Sequence, residues 1–136
     1  MDCCQHNIAL NGLSHFVSCE KGDAGKITRR LMRSQTKPDT TVADNATDVA
    51  SAAPPPFGVL LVDPPRQGLD EQVIKLATTS NIKNLLYVSC GRHALKRDLA
   101  LLDKVFEIVD ILLTDLFPRT DSVETLTHLR RRKAKL

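Results

Sequence analysis

The sequence predicts an α/β fold built around a mostly parallel sheet. Short apolar runs at residues 59–62 and 85–88 have the length and composition of buried strands. Residues 70–79, between them, have apolar side chains at helical spacing, as expected for a helix that packs one face on a sheet. Alternating strands and helices need crossover connections, which favour parallel strands. With 136 residues the chain forms one domain at most.

The first third of the chain predicts only short elements. Residues 5–13 are typical of the last turns of a helix that Asn11-Gly12 closes in a left-handed cap. Residues 16–19 predict a short strand, and residues 26–33 predict a helix with basic residues on its outer face. We interpret residues 1–33 as a partial N-terminal portion of the domain.

The composition changes between residues 34 and 56. Thr, Asp, Ala and Asn dominate, Val42 and Val49 are the only large apolar residues, and three prolines close the segment. Such a segment cannot bury enough apolar surface to offset the entropy of ordering it. The sequence therefore predicts a disordered insertion in a surface loop, which costs little because closure entropy grows slowly with loop length.

Residues 57–129 carry most of the regular structure that the sequence predicts. After the strand at 59–62 and the helix at 70–79, the predicted elements are a strand at 85–90, a helix at 94–102, a strand at 105–113 and a last strand at 122–129. Residues 130–136 form a basic tail.

The net charge of +3 depends on that tail. It holds five of the nineteen basic residues, and without them the balance is −2. The cluster is typical of a phosphate contact, of a targeting signal or of a solvated chain end, and the sequence leaves these open.

Composition excludes several classes of protein. No apolar run is long enough for a membrane span, and the first residues lack a secretory pattern. The four cysteines show no zinc-type pairing, so we expect reduced thiols and no metal. We expect an intracellular protein of the cytoplasm, nucleus or mitochondrion, and the oligomeric state stays open.

Two reactive groups are predicted at the ends of neighbouring strands. Asp63 ends the strand at 59–62, and Pro64-Pro65 then forces the backbone out of the sheet. Cys90 ends the strand at 85–90 just before a helix, where amide dipoles favour a thiolate. Ligands bind at this edge of open α/β sheets. The alternatives are an ordinary loop exit and a small buried core cysteine.

Four segments carry a family resemblance, and they occur in order at ordinary spacing. They are Asp63-Pro64-Pro65-Arg66-Gln67-Gly68-Leu69, Tyr87-Val88-Ser89-Cys90, Arg97-Asp98-Leu99, and Asp115-Leu116-Phe117-Pro118-Arg119-Thr120 followed by Val123-Glu124-Thr125. Together they resemble the RNA 5-methyluridine (uracil-5-) methyltransferase family, which uses S-adenosylmethionine. The likeness covers residues 59–129, the C-terminal part of the catalytic domain, and is weaker at 7–24.

The resemblance implies an RNA (uracil-5-)-methyltransferase with named site residues. Cys90 matches the family's nucleophile, which adds to carbon 6 of uracil, and Glu124 matches the proton acceptor at carbon 5. Asp63 matches a residue of the cofactor and base pocket. Asp23 is expected near the adenine end of the cofactor. The implied partner is RNA with an unpaired target base, and the family favours transfer RNA over ribosomal RNA.

The implied fold is a Rossmann-like class I methyltransferase sheet with strand order 3-2-1-4-5-7-6. The family's Gly-rich turn and ribose-binding acid are expected before Asn7 and are absent, so we expect a fragment that lacks the N-terminal strands. Gly91-Arg92 replaces the family's Asn-Pro, and Ser122 replaces a frequent His.

Two other functions stay open. A noncatalytic remnant of the enzyme would bind RNA or a partner protein. A methyltransferase acting on an exocyclic amine is also suggested by Asp-Pro-Pro, although Arg66 replaces the aromatic residue that such enzymes place after the prolines.

Overall fold

The computed structural model of the protein describes residues 2–35 and 58–133. The described elements in chain order are α1 (Asp2–Leu10), α2 (Ala24–Gln35), β1 (Val59–Val62), α3 (Glu71–Thr79), β2 (Asn84–Ser89), α4 (Arg92–Leu102), β3 (Phe106–Thr114) and β4 (Glu124–Arg131). Every helix and strand predicted between residues 57 and 129 is present, with ends that differ by two residues or fewer.

The four strands form one sheet in the order β1-β2-β4-β3. Strands β1 and β2 are parallel, whereas β4 is antiparallel to both β2 and β3. This is the order 4-5-7-6 that the family resemblance implies. Strands β1, β2 and β3 therefore run in one direction, as expected for a mostly parallel sheet. Of the described strands, only β4 runs the other way, because no crossover helix separates it from β3 and the two strands pair as a hairpin.

The core lies between one face of the sheet and helices α3 and α4. Leu85 and Tyr87 of β2 alternate with half-buried residues, as expected for a strand with one face in the core. Leu76 and Ala77 of α3 are buried as well. The buried cluster consists of Leu69, Ala77, Leu85, Tyr87, Leu95, Leu102, Phe106 and Leu129.

The other face of the sheet is open over the described residues. Val59 and Leu61 of β1 are 54% and 63% exposed, and Leu112 of β3 is 57% exposed. Strand β1 also lies at one edge of the described sheet. The fold therefore presents an apolar face and an unpaired strand edge side by side.

The N-terminal segment differs from the prediction at one point. Residues 16–19 form a turn and irregular chain rather than a strand, and Phe16 is 84% exposed. A strand needs a neighbour, and no described strand extends the sheet beyond β1. The predicted helix end is confirmed: Gly12 has φ 66°, and the amides of Gly12 and Leu13 donate to the carbonyls of Ala9 and Ile8.

Helix α2 covers the helix predicted at 26–33 and extends to Gln35. The predicted disordered insertion at 34–56 otherwise lies outside the described residues. No described helix has the length and apolar character needed to cross a membrane.

Candidate active site

Three segments meet at one edge of the sheet, which we call the carboxyl edge and define by Asp63, Cys90 and Glu124. Because β1 and β2 are parallel, Asp63 and Cys90 leave the sheet at the same edge. Strand β4 runs the other way, so its first residue, Glu124, lies at that edge too. The topology thus brings three of the four predicted site residues to one end of the sheet.

The strand register makes Cys90 and Glu124 neighbours. At the carboxyl edge, the pairing of β2 with β4 ends at Ser89 and Thr125. Cys90 directly follows Ser89, and Glu124 directly precedes Thr125. Opposite residues of an antiparallel pair have Cα atoms about 4.5–5.5 Å apart, so the backbones of the two strands are adjacent at Cys90 and Glu124. Both residues are half-buried, and neither side chain forms a hydrogen bond or ion pair with another described residue.

Helix α4 begins directly after the cysteine. Gly91 is its N-cap and offers no side chain to the first-turn amides. These amides therefore remain available to an anion near Cys90.

Arg66 connects the three loops of the carboxyl edge. Its Nη2 donates a hydrogen bond to Ser122 Oγ at 3.1 Å, two residues before Glu124. Its carbonyl oxygen lies 2.5 Å from the position of a Cβ added to Gly91. The loop after β1 is thereby in contact with the loop after β2 and with the segment that leads into β4.

Asp98 fixes the end of the same loop from inside the protein. Its side chain is fully buried and accepts hydrogen bonds from the amide of Leu69 at 2.8 Å and from Tyr87 Oη at 2.7 Å. The Arg97 Nε atom donates to the other carboxylate oxygen at 2.9 Å. Burial, and next the hydrogen bond to Asp98, raise the pKa of Tyr87 above its ordinary value.

Gly68 allows this close approach. Its φ of 87° lies in the left-handed region, and a Cβ there would meet Asp98, Arg97 and Ala94. Arg97 Nη2 also donates to the carbonyl of Gln67 at 2.8 Å. The loop from β1 to α3 is therefore held at Gln67 and Leu69 by side chains of α4. At Arg66 it is held by contacts with Gly91 and Ser122.

A cavity of about 1290 Å³ lies beside the carboxyl edge, between the start of α2, the loop after β1 and α3. Asp23 and Asp63 both line it, whereas Cys90 and Glu124 do not. One oxygen of Asp23 accepts from the amide of Lys26 at 2.8 Å and so caps α2. Asp63 is exposed and forms no hydrogen bond or ion pair with a described residue. The four predicted site residues thus form two adjoining groups that share Asp63.

Sequence reasoning missed the roles of Asp98 and Gly91. Asp98 stands on the apolar stripe of α4, three residues after Leu95 and four before Leu102, where a carboxylate needs buried partners. A charged residue on this apolar stripe could have been recognised in the sequence. No sequence pattern indicates the role of Gly91, because its contact is with Arg66, 25 residues earlier in the chain.

The family model for tRNA (uracil-5-)-methyltransferases matches residues 53–132, more than half of the chain. The chain belongs to this family. The match includes Asp63, Cys90 and Glu124, and Asp23 lies outside it.

Several relatives have related names and are much longer than this chain. An uncharacterised RNA methyltransferase of Listeria innocua is 48% identical over 73 residues, which are 54% of this chain and 16% of the relative. A tRNA/tmRNA (uracil-C(5))-methyltransferase of a Marinomonas species is 34% identical over 128 residues, 94% of this chain and 32% of the relative. The chain thus spans a third or less of the length of these two relatives.

The fold is similar to that of a solved relative. The crystal structure of Pyrococcus abyssi tRNA (uracil-54, C5)-methyltransferase, in complex with S-adenosyl-L-homocysteine, matches with a TM-score of 0.50 and 29% identity. The match covers 76% of this chain and 25% of that one. The Rossmann-like methyltransferase fold is therefore confirmed.

The cavity fits part of the family's cofactor. Asp23 and Asp63 are carboxylate acceptors that line the cavity, and Val62, Pro64 and Ile74 add apolar lining for a purine ring. Within residues 2–35 and 58–133, no strand is followed by a Gly-rich turn that opens a helix. The described residues thus supply acceptors for the adenosine end and no Gly-rich turn. They also include no group of three or more side chains that could hold a metal ion.

Proposed function

We propose that this chain carries the nucleophile and the general base of an enzyme that methylates carbon 5 of a uridine in RNA. The observation that supports this most directly is the position of Cys90 and Glu124. Cys90 directly follows Ser89 and Glu124 directly precedes Thr125, and Ser89 and Thr125 are paired across β2 and β4, in a member of the uracil-5-methyltransferase family.

The chemistry needs a thiol and a carboxylate close together. Carbon 5 of uracil is a weak nucleophile, and addition of the Cys90 thiolate to carbon 6 turns the ring into an enolate. Carbon 5 would then take the methyl group of S-adenosylmethionine as the bond from that methyl to the sulfonium sulfur breaks, and S-adenosylhomocysteine would leave. Glu124 removes the carbon 5 proton, the bond from sulfur to carbon 6 breaks, and the thiolate is restored.

We assign Asp63 and Asp23 to cofactor binding. Asp63 is a free acceptor shared between the cavity and the carboxyl edge, so it suits a polar group of the cofactor close to the reacting base. One oxygen of Asp23 caps α2, and the other is available for an amine or hydroxyl at the far side of the cavity.

The proposed substrate is an unpaired uridine, because the reacting atoms of a stacked and paired base are out of reach of a protein side chain. Transfer RNA is favoured, since relatives and the similar structure are named for acting on it. The assigned activity is that of relatives about three times as long, and this chain supplies the part that holds Cys90 and Glu124.

A fluorinated RNA tests the proposal. Incubation with S-adenosylmethionine and RNA containing 5-fluorouridine should give a covalent complex that survives denaturing electrophoresis, because Glu124 cannot remove fluorine. Cys90→Ala should abolish the complex. Cys19→Ala is the matched control, since Cys19 is also a half-buried free thiol, and should keep it.

Glu124→Gln separates the two roles. The variant should form the covalent complex with fluorinated RNA. It should also accumulate a covalent complex with ordinary RNA, because the carbon 5 proton is no longer removed. A complex formed by Cys90→Ala would contradict the assignment of the nucleophile. A folded wild-type chain that binds RNA without forming the complex would favour the noncatalytic remnant.

A further inference from the structure

A groove of about 960 Å³ lies at the end of the sheet opposite the carboxyl edge. We call it the basic groove, and it is lined by Lys104, Val105, Glu107, Arg130, Arg131, Arg132 and Lys133. Strand β4 runs from Glu124 to Arg131, so the groove lies about 23 Å from the candidate active site at roughly 3.3 Å per residue.

Backbone contacts hold the basic tail in place up to Arg132. The amide of Arg131 donates to the carbonyl of Lys83 at 2.8 Å, and the amide of Arg132 donates to that of Val105 at 2.9 Å. Arg130 and Arg131 belong to β4 itself. The segment that sequence reasoning set apart as a tail is therefore partly a strand with fixed side-chain directions.

The arginine side chains of the groove are ordered by their partners. Arg131 donates from Nη2 to the carbonyl of Ala77 at 2.6 Å and stacks over the Phe106 ring, 4.9 Å from its centroid. The other two arginines form ion pairs, Arg130 with Glu107 at 2.8 Å and Arg132 with Asp103 at 2.6 Å. Each of these two uses two of its five N–H groups in the bonds to that partner, so donors remain for a ligand.

The lysines of the groove have no such partners. Lys104 and Lys133 are exposed, and neither forms a hydrogen bond or ion pair with another described residue. Five positive charges thus face two carboxylates, those of Glu107 and Asp103, which leaves +3 here. That equals the formal net charge of the whole chain.

We propose that the basic groove binds the phosphate backbone of the RNA substrate, at nucleotides that flank the target uridine. This inference rests on the proposed function, which makes RNA the substrate. Phosphate contacts supply affinity and orientation, whereas the site that holds the base supplies the chemistry. A membrane surface fits less well, because half-buried Val105 is the only apolar residue among those that line the groove.

Salt-dependent RNA binding tests the groove. The full chain is titrated into a fluorescently labelled RNA stem-loop between about 50 and 200 mM salt, with anisotropy as the readout. The double variant Lys104→Gln/Lys133→Gln should bind more weakly and should reduce the slope of log affinity against log salt by roughly one to two. Neither lysine has a structural contact, so the variant should fold.

The matched control is Lys21→Gln/Lys96→Gln, which removes two exposed lysines from other surfaces and should leave the slope nearly unchanged. Glu107→Gln frees Arg130 and should tighten binding. Equal slopes for wild type and the groove variant would overturn the proposal. So would binding to anionic lipid vesicles that the groove variant abolishes while RNA binding stays intact.

The two proposals can fail separately. Cys90→Ala should bind RNA with the wild-type slope, because the cysteine lies at the other end of β4. A normal slope without a covalent complex would leave the groove standing and reject catalysis. A covalent complex, together with an unaltered slope in the groove variant, would support catalysis and reject the groove as the RNA contact.

Discussion

At the scale of single residues, the buried carboxylate of Asp98 holds the loop beside the candidate active site. It accepts from the amide of Leu69 and from Tyr87 Oη, and both of these residues are buried. A buried donor left without a partner costs about 1–3 kcal/mol. The position of the loop beside the candidate active site therefore depends on a buried residue of α4.

Tyr87→Phe tests this network through pH. The pKa of Tyr87 is raised in the folded state, so its contribution to the free energy of unfolding is complete below pH of about 10 and is lost as pH rises further. The variant should lose about 1 kcal/mol at pH 7, where one hydrogen bond is missing. Above pH 10 the free energy of unfolding should fall less steeply in the variant than in the wild type.

Urea unfolding of the wild type and of Tyr87→Phe from pH 7 to 11 gives the difference between their free energies of unfolding at each pH. Tyr87 is the only tyrosine in the chain, so ultraviolet absorbance of tyrosinate reports its ionisation alone. A stability difference that stays constant across this range would contradict the burial of a hydrogen-bonded phenol.

At the scale of elements, the loops of the carboxyl edge hold the site together through Gly91. A Cβ at this position would lie 2.5 Å from the carbonyl oxygen of Arg66, closer than real Cβ atoms approach a backbone oxygen. Gly91 has φ −116°, so the constraint is space and not backbone conformation. Gly91, which stands in place of the family's Asn, thus has a steric reason in this chain, whereas nothing in the described residues explains Arg92 in place of the Pro.

Gly91→Ala should push the loop after β2 away from Arg66. We expect a loss of about 1–3 kcal/mol in the free energy of unfolding, as for an overpacked site, and a changed rate of Cys90 alkylation. Gly58→Ala is the control, because nothing lies within 4 Å of its added Cβ, and it should change stability by less than about 1 kcal/mol. Equal behaviour of the two variants would refute the contact.

Local signals in the sequence were enough to predict most elements. Apolar runs gave β1 and β2, and Asn11-Gly12 gave the end of α1, because these depend on neighbouring residues only. The strand expected at 16–19 is missing, because a strand also depends on a partner that the described residues do not offer. The Arg66 contacts likewise join distant parts of the chain and leave no local pattern.

At the scale of the whole molecule, we expect the apolar face that the described part of the sheet leaves open to mediate self-association. Leu61 is 63% exposed on the unpaired edge strand, next to Val59 on the same face. Exposed apolar edge strands are templates for pairing with other chains.

Leu61→Lys should reduce self-association without unfolding the protein, because the side chain already faces solvent. Sedimentation velocity over a range of concentrations should show less associated material than the wild type. Leu60→Lys is the contrasting variant: half-buried Leu60 packs against the core, and a charge there should destabilise the fold. Unchanged association in Leu61→Lys would show that this face does not mediate it.

The most direct test of the central claim is hydrogen exchange at carbon 5 of uridine, measured by mass spectrometry on RNA deuterated at that position. Reversible addition of Cys90 to carbon 6 lets carbon 5 take a proton from solvent, and Glu124 then removes a hydrogen before the thiol leaves, with no methyl donor required. The account predicts loss of deuterium with the wild type, and loss at the background rate with Cys90→Ala and Glu124→Gln. Exchange that persists in Cys90→Ala, or that never exceeds background in a folded chain bound to RNA, would contradict it.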